Sequence, residues 1–137
     1  MKNQQNRFRA ALAACLLTSL AMTTSVPAAE LSADDKAFLA QYETVHAALA
    51  ADNLAEAKKA ATTMGEDGAK LAKGETIADG RKEFETMSEK ALKLTEGQAG
   101  YYRVNCPMLK KDWVQTSKEV SNPYGGKEML TCGAVKS

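Results

Sequence analysis

Apolar residues recur every three or four positions through residues 32–96, the spacing that places them on one face of an α-helix. The pattern predicts three helices, which begin after the capping residues Ser32 and Asn53 and at Ile77. The first has the most complete apolar face, formed by Phe38, Leu39, Tyr42, Val45, His46 and Leu49. The second is rich in alanine and interrupted by glycines. Short connections between the helices predict a small antiparallel bundle with a thin core.

The pattern changes after residue 98. Residues 99–137 contain the single tryptophan and three of the four tyrosines, and they alternate as short strands would. The run Asn122, Pro123, Tyr124, Gly125 is typical of a β-turn, which would return the chain toward residue 106. We therefore predict a mainly α fold. A three- to four-helix bundle (residues 30–98) is covered by an irregular, short-β segment (residues 99–137) of the same domain.

The first 29 residues have the features of a secretory signal peptide. Basic residues precede an apolar run that is too short to span a bilayer, and small residues follow it. No further segment is apolar enough to cross a membrane. The sequence thus predicts an exported, periplasmic protein, although it does not fix the cleavage position.

Charge and motifs exclude several functions. Residues 30–137 carry 15 basic and 17 acidic residues, a net charge of −2, which disfavours binding to nucleic acid or to anionic lipid. The sequence has no Cys-x-x-Cys motif, no glycine-rich phosphate loop and no serine-nucleophile motif. We therefore predict that the protein is not an enzyme.

Two short clusters pair cysteine with methionine: Cys106-x-Met108 and Met129-x-x-Cys132. Thiolate and thioether sulfurs are soft ligands that select Cu(I) and, by the same chemistry, Ag(I). His46, the only histidine, is a further candidate ligand. Alternatively, Cys106 and Cys132 form a disulfide, as expected for an even pair of cysteines in an oxidising compartment. The sequence leaves both interpretations open.

The stretch YYRVNCPMLKKDWVQTSKEVSNPYGGKEMLTCG resembles the signature of the domain-of-unknown-function family numbered 3347. Helical stretches before it are similar to the preceding helices of that family. The resemblance implies an exported helical domain, found alone or fused to periplasmic adaptor subunits of copper and silver efflux pumps. The matching positions are Cys106, Pro107, Met108, Trp113, Gln115, Asn122, Pro123, Tyr124, Gly125, Met129, Cys132 and Gly133. Gly126 departs from the family pattern.

Two functional hypotheses follow. The first is a periplasmic copper- or silver-binding protein linked to metal efflux or homeostasis, with a metal-efflux adaptor or another envelope protein as partner. The second is a non-catalytic interaction module that is held together by the disulfide and docks on an envelope transporter. Its docking face would be aromatic, formed by Trp113, Tyr101, Tyr102 and Tyr124. The same aromatic residues could instead complete the core, and oligomeric state is not predicted.

Overall fold

The computed structural model describes residues 30–136. The predicted signal peptide lies outside the described residues, and so does Ser137. Within residues 30–136, four α-helices precede three short strands, and two 3₁₀-helices lie in the connections. Their bounds are α1 Ala33–Ala50, α2 Leu54–Thr62, α3 Ala69–Lys73, α4 Ile77–Leu94, β1 Tyr102–Cys106, β2 Lys111–Gln115 and β3 Ala134–Val135, with 3₁₀-helices at Gly65–Asp67 and Gly126–Met129. The predicted fold class is confirmed.

Both long helices begin at capping boxes. The Ser32 hydroxyl accepts a hydrogen bond from the Asp35 amide, and the Asp35 carboxylate accepts one from the Ser32 amide. Thr76 and Asp79 repeat this arrangement at the start of α4. These reciprocal bonds satisfy amides that have no partner inside the helix, so the sequence fixes where each helix starts.

The alanine-rich region after Asn53 forms two helices instead of one. α2 ends at Thr62, and Gly65 then adopts a positive φ of 59°, which an α-helix cannot accommodate. The chain passes through a 3₁₀ turn into the short helix α3, which ends before Gly74. None of the helices in residues 30–136 is long and apolar enough to cross a membrane.

The strands form one antiparallel sheet in the order β2-β1-β3. Val104 lies opposite Trp113 in β2 and opposite Val135 in β3, and Cys106 lies opposite Lys111. The sheet supplies the covering element that the thin bundle requires, because β2 packs on α4 and the buried Val114 joins the core of the helices.

A second, smaller core lies beneath the other face of the sheet. Val104, Cys106 and Trp113 are completely buried there, and the partly buried residues that pack against them are Leu109, Val120, Tyr124, Met129 and Cys132. Tyr124 contacts both cores. Cys106 of the first predicted sulfur cluster and both sulfur residues of the second, Met129 and Cys132, therefore meet in one apolar cluster, whereas Met108 lies outside it.

A chain of buried hydroxyl groups joins the helices to the C-terminal segment. Tyr42 Oη and Ser88 Oγ lie 3.1 Å apart, and the Tyr124 hydroxyl donates to Ser88 Oγ at 2.9 Å. The Val114 amide donates to Tyr42 Oη. Burial raises the pKa of both tyrosines above the usual value, so both phenols stay protonated and uncharged at neutral pH.

Candidate cysteine-pair site

Cys106 is the last residue of β1 and is completely buried. The alternation of β1 turns Val104 and Cys106 to the same face, against Trp113 and the second core. The chain then turns through Pro107 and Lys110, which has a positive φ of 53°, into β2. This turn brings backbone amides close to the Cys106 sulfur.

Cys132 lies between the second 3₁₀-helix and β3, and its side chain is partly exposed. The pairing of Asn105 with Ala134 returns this segment to β1, so Cys132 becomes a neighbour of Cys106. The two thiols are free and share a hydrogen bond. The predicted return of the chain after the Asn-Pro-Tyr-Gly turn is therefore observed.

The two thiols differ in their ease of ionisation. Burial raises the pKa of Cys106, but hydrogen bonds from Cys132, from the amides of Leu109 and Met108 and from the Asn122 side chain outweigh it. The net pKa of Cys106 therefore lies below the ordinary value. The hydrogen bond to Cys106 raises the pKa of Cys132, and burial adds to this. The first proton to leave the pair thus leaves a thiolate at Cys106, with Cys132 as its donor.

Asn122 organises the loop around the pair. It is completely buried, and its Oδ1 accepts from the amides of Tyr124 and Gly125, each at 2.9 Å. Its Nδ2 donates to the Cys132 carbonyl at 2.9 Å. The Asn122 amide also donates to the Leu130 carbonyl at 2.8 Å. One side chain therefore holds both the turn and the backbone at Cys132.

An ion pair attaches this loop to the helices. Arg81 of α4 contacts Asp52, and its Nε donates to the Pro123 carbonyl at 3.0 Å. The other oxygen of Asp52 accepts from the Lys127 amide at 3.1 Å. Gly126 has a φ of 57°, and a Cβ there would overlap the Asp52 and Arg81 side chains. A glycine is thus required where the loop meets the ion pair.

The two methionines of the predicted ligand set occupy different environments. Met129 is partly buried and packs against the small core that contains Cys106. Met108 has a side chain that is 76% exposed, at the turn after Cys106. Its backbone amide, however, forms hydrogen bonds with both cysteine sulfurs, and each bond acts to lower the pKa of the thiol. The fold therefore brings Met129 to the small core that contains Cys106, and the backbone of Met108 to the pair.

His46 is buried on α1, as the apolar pattern predicts, and its Nε2 lies 2.7 Å from the Ser121 carbonyl. Its Nδ1 lies 3.7 Å from a Glu43 oxygen. Burial lowers the pKa of His46, so the imidazole is neutral at neutral pH. Within residues 30–136, no three His, Cys, Asp or Glu side chains form a group able to hold a metal ion. His46 is thus not grouped with the two cysteines.

The aromatic residues of the predicted docking face are unequally exposed. Trp113 is completely buried, and its Nε1 donates to Gln115 Oε1 at 3.0 Å. Tyr124 packs between the two cores, whereas Tyr101 and Tyr102 are partly exposed. Trp113 and Tyr124 complete the core, which is one of the roles considered from the sequence.

Sequence reasoning missed the roles of Asn122, Arg81 and Asp52 around the pair. Asn122 is predicted as a turn residue, and no role in the site is predicted for Arg81. The structure adds long-range bonds from both to the C-terminal loop. The only available signal was the position of Arg81 itself, a charged residue on the apolar face of α4.

Comparison of the chain with protein-family models, with curated proteins and with solved structures returns no match. The resemblance to the numbered family therefore stays a prediction. The fold and the site define a small helical domain whose C-terminal segment carries a neighbouring pair of cysteines.

Proposed function

We propose that this protein binds a soft monovalent metal ion, Cu(I) or Ag(I), through the sulfurs of Cys106 and Cys132 in the periplasm, as part of metal efflux or homeostasis. The observation that carries the proposal is the proximity of the two thiols in one small core. Soft thiolate and thioether ligands favour Cu(I) over harder metal ions. The ion is cargo in this function, and the protein performs no chemistry on it.

The surroundings of Cys106 suit a metal-bound thiolate. Backbone amides and the Asn122 side chain direct N–H groups toward its sulfur. Such hydrogen bonds stabilise the negative charge that remains on a thiolate ligand, and they orient it. Met129 packs against the small core that contains Cys106, which makes its thioether the candidate third ligand. Met108, at the exposed turn, would contact an ion as it enters or leaves.

The donor set favours a metal that accepts few ligands. Structural zinc sites use four Cys or His ligands, and no group of three such residues, or of Asp and Glu, occurs in residues 30–136. Two thiolates with one or two thioethers fit Cu(I) or Ag(I) better. His46 is not grouped with the two cysteines in residues 30–136, so it is not part of the proposed ligand set.

The test is an anaerobic titration of the reduced protein with Cu(I) in competition with a chromophoric Cu(I) chelator of known affinity. We expect one ion per chain and loss of competition in the variant with both Cys106→Ser and Cys132→Ser. Met129→Leu should weaken binding by about tenfold. Met64→Leu, in the helical bundle, is the matched control and should bind as wild type does. Equal binding by the double cysteine variant would contradict the proposal.

The second candidate is a disulfide-stabilised interaction module that docks on an envelope transporter or partner. It is favoured by the same proximity of Cys106 and Cys132, since a bridge there would close a loop of about 27 residues and stabilise the fold by roughly 3–4 kcal/mol. Tyr101 and Tyr102 provide partly exposed aromatic surface. Alkylation of freshly isolated protein under denaturing conditions, followed by intact-mass measurement, distinguishes the candidates: two unreactive cysteines favour the module, and two alkylated cysteines favour the metal site.

A further inference from the structure

The two sulfurs of the pair differ in access to solvent. Cys106 has no exposed surface, whereas Cys132 is partly exposed. Of the two residues adjacent to Cys132 in sequence, Thr131 is exposed and Gly133 is partly buried. A reagent in solution can therefore approach the Cys132 sulfur without rearrangement of the chain. It reaches Cys106 only when the small core opens.

We propose that Cys132 is a thiol–disulfide exchange site for low-molecular-weight thiols and disulfides, with the buried Cys106 as its resolving partner. The inference concerns the same two sulfurs as the proposed function, but it holds whether or not they bind metal. It assigns different roles to two residues that the metal hypothesis treats alike.

The oxidation proceeds in two balanced steps. The Cys132 thiol passes its proton to the Cys106 thiolate across their shared hydrogen bond, and the Cys132 sulfur attacks a small disulfide RSSR, which forms a mixed disulfide at Cys132 and releases RS⁻. The released RS⁻ takes the proton from Cys106 and leaves as RSH. The Cys106 thiolate then attacks Cys132 Sγ, which forms the Cys106–Cys132 bond and releases a second RS⁻. The protein loses two electrons as a dithiol, and RSSR gains them as two thiols.

The reverse direction uses the same sulfur. An external thiolate attacks Cys132 Sγ of the disulfide, the S–S bond breaks, and Cys106 leaves as the thiolate. Amides of Met108 and Leu109 and the Asn122 side chain surround the sulfur that receives this charge. A second thiol then attacks the sulfur of the small molecule in the mixed disulfide, and Cys132 is released. The arrangement thus places the accessible sulfur at Cys132 and the stabilised leaving group at Cys106.

The experiment treats reduced, metal-free protein with excess oxidised glutathione and quenches samples with acid. All chains carry Cys15→Ser, so that only Cys106 and Cys132 can react. Intact mass counts the adducts, and fragmentation of the intact chain locates them. We expect Cys106→Ser to accumulate one glutathione at Cys132. Cys132→Ser should react with glutathione at least about tenfold more slowly than Cys106→Ser does, because its remaining thiol is buried and requires local opening.

Wild type should pass through a glutathione adduct at Cys132 and finish with an internal disulfide and no bound glutathione. Equal rates for the two serine variants, with native near-ultraviolet circular dichroism in both, would overturn the proposal. If a serine variant fails to fold, the test is the location of the first glutathione adduct on the wild-type chain. An adduct at Cys132 supports the proposal, and an adduct at Cys106 refutes it. Because this experiment contains no metal, and the Cu(I) titration contains no disulfide, failure of one leaves the other intact.

Discussion

Replacement of Asn122 by alanine should destabilise the protein more than any comparable change of a polar residue near the pair. The side chain is completely buried and makes three hydrogen bonds to the backbone, with the amides of Tyr124 and Gly125 and with the Cys132 carbonyl. At about 1 kcal/mol net for each bond, the loss is about 3 kcal/mol. For a domain of about 100 residues, this lowers the melting temperature by roughly 10–20 °C.

The assay is urea and thermal unfolding of reduced, metal-free protein, followed by the fluorescence of the buried Trp113. Asn105→Ala is the matched control, because Asn105 is adjacent to Cys106 but makes one side-chain bond, to Asp112 at 2.6 Å. It should cost about 1 kcal/mol or less. Asn122→Asp keeps both acceptor bonds and loses the donor, so its stability should lie between those of wild type and Asn122→Ala.

Cysteine reactivity gives a second measure of the Asn122→Ala variant. Because Asn122 holds the Cys132 carbonyl and also contacts the Cys106 sulfur, its loss should increase alkylation of both thiols in the folded state. If Asn122→Ala unfolds at the same urea concentration as Asn105→Ala and its thiols react as in wild type, the loop is not organised by this side chain.

Three further predictions concern the junction between the helices and the C-terminal segment. Gly126→Ala should destabilise by at least about 1–2 kcal/mol, because the residue has a positive φ and an added Cβ meets an ion pair; an unchanged urea midpoint would contradict this. Ser88→Ala removes the partner of two buried tyrosine hydroxyls and should cost about 1–3 kcal/mol in urea unfolding, whereas a loss of a few tenths would show that water replaces the serine. Burial raises the pKa of Tyr42 above 10.0, so the unfolded chain loses this proton at lower pH than the folded protein does, and the free energy of unfolding should fall as the pH rises above 10.0. Tyr42→Phe should make that fall shallower in urea melts at alkaline pH, and an identical slope would contradict the assignment.

Much of the fold follows from local signals in the sequence. Capping residues and apolar spacing predict α1 and α4, and an irregular, short-β segment over residues 99–137 with a turn at Asn122 is also predicted. The division of the alanine-rich helix is less predictable. Glycine weakens a helix by only about 1 kcal/mol, so tertiary packing decides whether the helix continues or breaks. Here Gly65 takes a positive φ and the helix ends.

The site is less predictable than the fold because its bonds join residues distant in sequence. The spacing of the sulfur clusters and the turn between them predict that Cys106 and Cys132 approach each other. Nothing local indicates that the cysteines differ in exposure, which depends on Trp113 and Met129 packing around one of them. The bond of Arg81 to the Pro123 carbonyl spans 42 positions and leaves no pattern in either segment.

The C-terminal segment completes the core and also carries the thiols, so stability and the state of the site are physically linked. Val114 and Tyr124 fill the core of the helices, while Cys106 is buried in the cluster on the other face of the same sheet. A ligand that binds only the folded state stabilises it by RT ln(1 + [L]/Kd), and a disulfide stabilises it by restricting the unfolded chain. Either event at the pair therefore strengthens the attachment of the segment to the bundle. Conversely, substitutions at Asp52 or Asn122 that loosen this attachment should lower the affinity of a ligand for Cys106 and Cys132. For Asp52 the effect would be indirect, because its contacts are with Arg81 and Lys127.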